Sequence, residues 1–230
     1  MNMPSGPPPH PLGERGTRVA AAGLVFSALF VVMVILLTRS PGVGASDAHI
    51  SRYYTTDARR SSVVVGLYVI PFAGIAFMWF MGALRSRTVQ AAGAEHPMFA
   101  AVQLISGAVF VTLLFVGGAA ELSVAWAVQS TGAGAFDPAS ARGLIALSNA
   151  LMQIFALRAG AVFVGIGTTR GLRSGLFPRW FAIASFVMAA VMLLVSSAWL
   201  PIVLVFPVWV TGTSIIVLRR RQKPIASKEA

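Results

Sequence analysis

The stretch VAAAGLVFSALFVVMVILLT at residues 19–38 decides the fold class of this chain. These residues carry no charge, and at about 1.5 Å per residue a helix of roughly 20 residues spans a hydrocarbon core about 30 Å thick. The stretch therefore predicts a transmembrane helix. A secretory signal peptide is the alternative, because Arg15 and Arg18 precede the stretch, but the apolar part of a signal peptide is only about 7 to 15 residues long.

Further apolar stretches predict additional spans. Three of them lie at residues 62–84, 99–120 and 143–167. From residue 180 to residue 218 the chain stays apolar for about 39 residues, which is too long for one span. Pro201 suits the first turn of a new helix, so a turn just before it divides this stretch into spans at 180–197 and 201–218. The predicted fold class is an all-α membrane protein with a bundle of six transmembrane helices.

The composition agrees with a membrane location. Hydrophobic residues make up 57% of the chain, charged residues 11%, and the mean hydropathy is +0.78, which is outside the range of soluble domains. The net charge of +11 would suggest nucleic acid in a soluble protein, but a membrane chain carries basic loops for orientation. We therefore expect the lipid bilayer as a partner and no nucleic acid. The absence of cysteine excludes disulfides and Cys-ligated metals.

The basic residues also predict the orientation, because Lys and Arg in short loops stay on the cytoplasmic side. With the N-terminus inside, twelve of the 18 basic residues fall in cytoplasmic segments and five in outer segments, and Arg158 lies within a span. Both termini are therefore expected in the cytoplasm, with the helices in a bacterial plasma membrane. Residues 1–17, rich in proline and glycine, are expected to form a disordered cytoplasmic tail, and residues 219–230 a basic cytoplasmic tail.

The segment SDAHISRYYTTDARR at residues 46–60 predicts a short amphipathic helix in the first outer loop. Ser46 is a good N-cap, and Asp47 suits the first helical turn. Tyr53 and Tyr54 are typical of the membrane–water boundary, where the ring is buried and the hydroxyl stays in water.

The same helix offers a candidate outer-face cluster. His49, Tyr53 and Asp57 are spaced four residues apart, so a continuous helix would place them on one face, with Arg60 nearby. One interpretation is a metal or ligand site, although one histidine, one phenol and one carboxylate form a weak ligand set. The preferred interpretation is an interfacial helix in which Asp57 pairs with Arg60 or Arg52, with no metal.

Two prolines predict local structure in the spans. Asp137 and Pro138 predict an N-cap and a first helical residue at the start of the fourth span. Pro71 should free a backbone carbonyl near Leu67 and bend the second span.

Polar residues inside the third and fourth spans are the main functional candidates, because each needs a partner in lipid. Arg158 lies about nine residues, roughly 13 Å, from the predicted cytoplasmic boundary of its span. Gln103 and Ser106 lie at a depth that its guanidinium can reach, so we predict their contact with Arg158. Glu121, near the outer end of the third span, is expected to pair with Arg142.

These residues define a predicted polar seam between the third and fourth spans, which Asn149 and Gln153 complete on one helical face. One interpretation is a path for a substrate or an ion, with Arg158 binding an anion. The preferred interpretation is hydrogen bonding between helices, because Asn, Gln and Ser often join membrane helices in this way. The seam comprises Gln103, Ser106, Glu121, Arg142, Asn149, Gln153 and Arg158.

The predicted spans lack the motifs of familiar membrane chemistry. The histidines His10, His49 and His96 all lie outside the spans, and no HExxH or GxSxG motif is present. Walker A and GxGxxG motifs are absent as well. The few ionisable groups leave little for acid–base catalysis, so we expect no enzyme activity, no cofactor and no catalytic residue.

Four sequence motifs carry a resemblance to a family. They are SDA followed by YYTTDARR, then FMWFMGALRSR in the second span, GGAAE in the third, and FDPASAR before the fourth. In this order they resemble small uncharacterised actinobacterial integral membrane proteins with six helices. The resemblance covers roughly residues 20–220. That family has no assigned activity, cofactor or catalytic residue, so the resemblance implies only the architecture.

These observations favour a non-enzymatic accessory or interaction component, with a membrane-protein partner or a second copy of the chain as its contact. Two alternatives stay open. One is a small transporter or channel-like protein with a path along the polar seam, and the other is a membrane enzyme acting on lipid. In a transporter the seam residues should face a water-filled cavity, whereas in an accessory protein they should be dry and paired with one another.

Overall fold

The structure is a computed structural model that describes residues 12–92, 96–132, 136–195 and 200–220. Over these residues the chain forms helices and no strand. Two π-helical segments interrupt long helices, Val65–Val69 before α4 and Ala150–Ala156 before α7, and a 3₁₀ turn, Asp57–Arg59, precedes α3. The α-helices are α1 (Leu12–Leu37), α2 (Asp47–Thr55), α3 (Arg60–Val64), α4 (Ile70–Ala92), α5 (Pro97–Thr131), α6 (Pro138–Asn149), α7 (Leu157–Arg173), α8 (Arg179–Leu194) and α9 (Leu200–Arg220).

Several helical stretches are long and apolar enough to cross a membrane. The prediction of an all-α, multi-pass membrane protein is therefore confirmed. The predicted span at 180–197 corresponds to α8, which is apolar but has only 16 residues. α1 begins at Leu12, inside the predicted tail, while residues 1–11 and 221–230 lie outside the described residues. The five long stretches are Thr17–Leu37, Asp57–Ala91, Pro97–Ser130, Pro138–Arg173 and Pro201–Arg219.

Helices α7, α8 and α9 follow one another in the chain and contact one another. The backbone amide of Phe177 donates to the carbonyl of Gly171 at 2.9 Å and closes the turn between α7 and α8. Trp209 Nε1 on α9 donates to Ser185 Oγ on α8 at 2.9 Å. α8 therefore contacts both α7 and α9, and α9 also packs on α1 and contacts α7.

The centre of the bundle is a phenylalanine cluster, Phe26, Phe77, Phe110, Phe163 and Phe206, with one ring from each of five helices. Each ring is at most 1% exposed, and the closest pair, Phe110 and Phe206, has its ring centroids 4.5 Å apart. The cluster separates two ends of the bundle. We call them the α2 end, which carries α2, and the opposite end, which carries the turn between α7 and α8.

Both π-helical segments lie against the same part of α5. The first ends at Val69, two residues before Pro71, whose missing N–H frees a carbonyl near Leu67. The predicted bend of the second span stays a prediction. The second, ALMQIFA, contains neither proline nor glycine. A Cβ on Gly117 would lie 2.5 Å from Met152 Cγ, and one on Gly118 2.6 Å from Ile70 Cδ1. Glycine at these two positions therefore allows α5 to approach both neighbours.

Candidate functional site

The helix α2 packs on protein at the α2 end of the bundle. Ser46 Oγ accepts a hydrogen bond from the His49 amide at 3.3 Å, so the predicted N-cap is confirmed. Ile50 and Tyr54 are fully buried against α5 and α6. Tyr53 is only 6% exposed, so the prediction of tyrosine hydroxyls in water is wrong. The apolar face of α2 covers the end of the bundle, and this burial turns both hydroxyls inward.

The inward hydroxyls surround Glu121 on α5, which is 3% exposed. Its Oε1 atom accepts hydrogen bonds from Ser62 Oγ at 2.8 Å, Ser40 Oγ at 2.9 Å and Tyr54 Oη at 3.2 Å. Tyr53 Oη lies 3.1 Å from both Ser40 Oγ and Ser62 Oγ. We call these four side chains the hydroxyl cluster. They come from the loop after α1, from α2 and from α3, and together they hold the carboxylate in place.

The phenol of Tyr54 is a stable donor in this cluster. Burial raises the pKa of Tyr54 well above its usual range, and the charge of Glu121 adds a smaller increase. The hydroxyl therefore stays protonated and donates to the carboxylate at every physiological pH.

A cavity of about 470 Å³ lies beside Glu121 at the α2 end. It reaches from the loop after α1, at Gly42 and Val43, to Phe110 in the phenylalanine cluster. The lining is mainly apolar and comes from α1, α5, α6, the second π-helical segment and α9. Its polar side chains are Thr38, Ser40, Glu121, Asn149 and Gln153.

Two polar groups of the lining are available to a ligand. All three donors to Glu121 use Oε1, whereas Oε2 accepts no hydrogen bond within the described residues, and Glu121 is part of the cavity lining. Gln153 Nε2 donates to Asn149 Oδ1 at 3.2 Å, which leaves the Gln153 carbonyl oxygen as a second acceptor. The cavity thus combines apolar walls with a small set of convergent polar atoms, as small-molecule sites do.

The polar seam is only partly formed. Glu121, Asn149 and Gln153 line the same cavity. The predicted pair between Glu121 and Arg142 is wrong, because Arg142 Nη2 bonds to Asp47 Oδ1 at 2.5 Å and its Nη1 to the carbonyl of Val43. α5 continues ten residues beyond Glu121 to Thr131, so the carboxylate lies deeper in the bundle than the start of α6.

The predicted contact of Arg158 with Gln103 and Ser106 is also wrong. Gln103 Oε1 accepts a hydrogen bond from the buried Arg170, and Ser106 Oγ donates to the Gln103 carbonyl at 3.0 Å. α7 extends to Arg173, past the boundary predicted at Gly167, so Arg170 is level with Gln103. Arg158 Nη1 donates to the Ile154 carbonyl at 3.1 Å, in the second π-helical segment.

The predicted outer-face cluster does not form. α2 ends at Thr55, and the extended backbone of Thr56, with φ −109° and ψ −179°, breaks the spacing between Tyr53 and Asp57. His49 is exposed, whereas Tyr53 points into the hydroxyl cluster. Asp57 and Arg60 lie 4.0 Å apart, so that predicted pair is confirmed. Within the described residues, no three His, Asp or Glu side chains gather as metal ligands.

The sequence reasoning missed the partners of Glu121. Ser40 follows the first span, Ser62 begins the second, and Glu121 lies near the same end of the third. Their equal predicted depth was a signal that these groups could meet. Tyr54 had no such signal, because its position depends on how α2 packs.

Comparison of the chain with protein-family models, curated proteins and solved structures gives no match.

Proposed function

We propose that the protein is a non-enzymatic, multi-pass protein of a bacterial plasma membrane that binds a small molecule in the cavity beside Glu121. The observation that carries this proposal is the convergence of Glu121, Asn149 and Gln153 on one cavity of about 470 Å³. This volume falls in the range of about 300 to 1,000 Å³ that small-molecule sites occupy. The geometry thus favours the transporter-type alternative over the accessory role.

The proposed topology has six spans, with the α2 end outside and both termini in the cytoplasm. α8 serves as the fifth span, since it contacts both α7 and α9 and its 16 residues make a helix about 24 Å long. The distribution of basic residues supports this orientation. The ligand then enters from the outer face.

The phenylalanine cluster closes the inner side of the cavity. Phe110 belongs both to the cavity lining and to the cluster, and its ring packs on Phe77 and Phe206 at centroid distances of 5.0 and 4.5 Å. An open channel along the whole polar seam is therefore not favoured. The proposed activity is binding in an outward-open form, which is also the first step of transport.

An accessory role is the second candidate, and one observation favours it. Gln103 and Arg142 have protein partners, Arg170 and Asp47, rather than the cavity. The buried pair of Gln103 and Arg170 is the dry arrangement expected for side chains that hold helices together, whereas the Arg142–Asp47 pair is exposed.

Native mass spectrometry of the full chain, purified in native-lipid particles, tests the proposal. Gln153→Trp should fill the cavity, while Ile154→Trp, at the next position but 38% exposed on the bundle surface, is the matched control. We expect a small molecule bound to the wild type and to Ile154→Trp and lost from Gln153→Trp. A stoichiometric protein partner in all three samples, with no small molecule, would instead support the accessory role and overturn the proposal.

A further inference from the structure

We propose that the ligand of the cavity is an amphiphilic organic ammonium ion whose charge is balanced by Glu121, an inference that rests on the proposed function. Glu121 is 3% exposed, and no described residue forms an ion pair with it. Its hydrogen-bond donors, the hydroxyls of Ser40, Tyr54 and Ser62, are neutral. A buried charge without an opposite charge is unfavourable, so a cation in the cavity would stabilise the site.

The geometry places the cation at Glu121 Oε2. This oxygen accepts no hydrogen bond within the described residues, and its side chain lines the cavity. The Gln153 carbonyl oxygen provides a second acceptor on the cavity wall. An ammonium group has only donors, so it complements both atoms, and hydrogen bonds that involve a charge are the stronger ones.

The remaining lining selects for an apolar body on the ligand. The rings of Phe30 and Phe110 and the side chains of Leu114, Met152 and Leu157 form the walls. A cavity of about 470 Å³ is far larger than an inorganic ion needs. An alkyl or aryl group would remove these walls from water, which is favourable in proportion to the buried area.

An anionic ligand does not fit the same cavity. Arg158 does not line it and donates to the Ile154 carbonyl. Arg142 does not line it either and is engaged by Asp47. The lining therefore carries one negative group and no basic side chain.

Three probes of similar size test the inference: 2-phenylethylammonium, 2-phenylethanol and phenylacetate, which are cationic, neutral and anionic at pH 7. The measurement is the thermal unfolding midpoint of the full chain in phosphatidylcholine nanodiscs as each probe is titrated. Glu121→Gln removes the charge and keeps an acceptor oxygen for the hydroxyl cluster. Asp57→Asn is the matched control, because Asp57 is a highly exposed carboxylate at the same end.

We expect the ammonium probe to stabilise the wild type at about tenfold lower concentration than the alcohol does, because it adds a charge-assisted hydrogen bond. Glu121→Gln should lose this preference, and Asp57→Asn should keep it. Equal responses to the ammonium and the alcohol, or a preference that survives in Glu121→Gln, would overturn the inference. If the alcohol or phenylacetate binds without cationic preference and Gln153→Trp abolishes that binding, the cavity still binds small molecules and only the charge assignment fails.

A second measurement covers the case in which Glu121→Gln does not fold. The chain has no cysteine, so Gln153→Cys introduces a single thiol on the cavity wall while Glu121 stays intact. The ammonium probe should protect this thiol from a water-soluble thiol reagent at lower concentration than the alcohol does. Equal protection by the two probes would overturn the inference.

Discussion

Buried polar groups have different surroundings at the two ends of the bundle. At the opposite end, the buried Arg170 bonds to Gln103, and a Cβ on Gly167 would lie 2.8 Å from the Gln103 amide nitrogen, so the pair fills its space. At the α2 end, Glu121 is held at Oε1 by three neutral hydroxyls and lines a cavity of about 470 Å³. The Arg170–Gln103 pair is closely packed, whereas Glu121 has no charged partner within the described residues and lies beside an open volume.

This difference separates a structural polar group from a functional candidate. Both groups are buried, and both hydrogen-bond to residues distant in sequence. Burial alone therefore does not distinguish them. The available acceptor oxygen and the adjacent cavity are the features that mark Glu121.

The largest expected effect comes from Glu121→Leu. This change leaves the buried hydroxyls of Tyr54 and Ser62 without their acceptor, which should cost about 3 kcal/mol of unfolding free energy. Glu121→Gln should cost much less, because its amide oxygen can accept the same bonds. Unfolding by increasing SDS in mixed micelles measures the loss of unfolding free energy in each variant. Equal losses of free energy in the two variants would show that the hydroxyl cluster does not depend on this acceptor.

A second change tests the dense packing of the opposite end. Gly167→Ala should destabilise the protein by about 2 kcal/mol, because its Cβ would meet Gln103 Nε2 at 2.8 Å and Trp209 Cη2 at 3.3 Å. Gly165→Ala, on the same helix with no atom within 4 Å of its Cβ, is the matched control. The control should be neutral or slightly stabilising, since alanine favours helix over glycine. The same unfolding assay would contradict dense packing if both variants behaved alike.

Tyr54→Phe should have an intermediate effect that depends on pH. Losing the hydroxyl bond to Glu121 should cost about 1 kcal/mol at neutral pH. Burial raises the folded-state pKa of Tyr54, so its contribution is fully present below the unfolded pKa of about 10 and is lost as the pH rises further. Unfolding midpoints between pH 8 and 11 should therefore fall more steeply for the wild type than for Tyr54→Phe. Parallel curves would mean that this phenol is not buried in the folded protein.

The smallest expected effect concerns the loop at the mouth of the cavity. Asp47→Asn weakens a contact whose carboxylate is 71% exposed, so it should cost less than about 0.5 kcal/mol. Because Arg142 also holds the Val43 carbonyl of the cavity lining, the change should speed the reaction of a thiol at position 153. Asp57→Asn, which alters a pair 4.0 Å apart, should leave that rate unchanged. Equal reaction rates in the two variants would show that the Asp47 contact does not control access to the cavity.

The features that depend on local sequence could be predicted. Apolar length predicted the long helices, and Ser46 predicted the start of α2. Asp137 and Pro138 likewise cap and begin α6, as expected. These signals need no knowledge of distant neighbours, since the backbone responds within a few residues.

The partners of the polar side chains could not be predicted, because they depend on the relative depth of distant helices. The extended backbone of Thr56 ends α2, so Tyr53 and Asp57 lie in different surroundings. Arg170 bonds to Gln103 because α7 is longer than its apolar stretch. The second π-helical segment contains no proline or glycine from which it could be predicted, yet it carries Gln153, which lines the cavity.

The most direct test of the contrast between the two ends compares two glutamines. Gln153→Cys and Gln103→Cys place single thiols in a chain that has no cysteine, and a charged, membrane-impermeant thiol reagent is added to intact cells. We expect position 153 to react, more slowly than an exposed Arg52→Cys control, and position 103 not to react even after the membrane is permeabilised. A folded Gln153→Cys protein that resists the reagent, or reaction at position 103 as fast as at position 153 in permeabilised cells, would contradict this expectation.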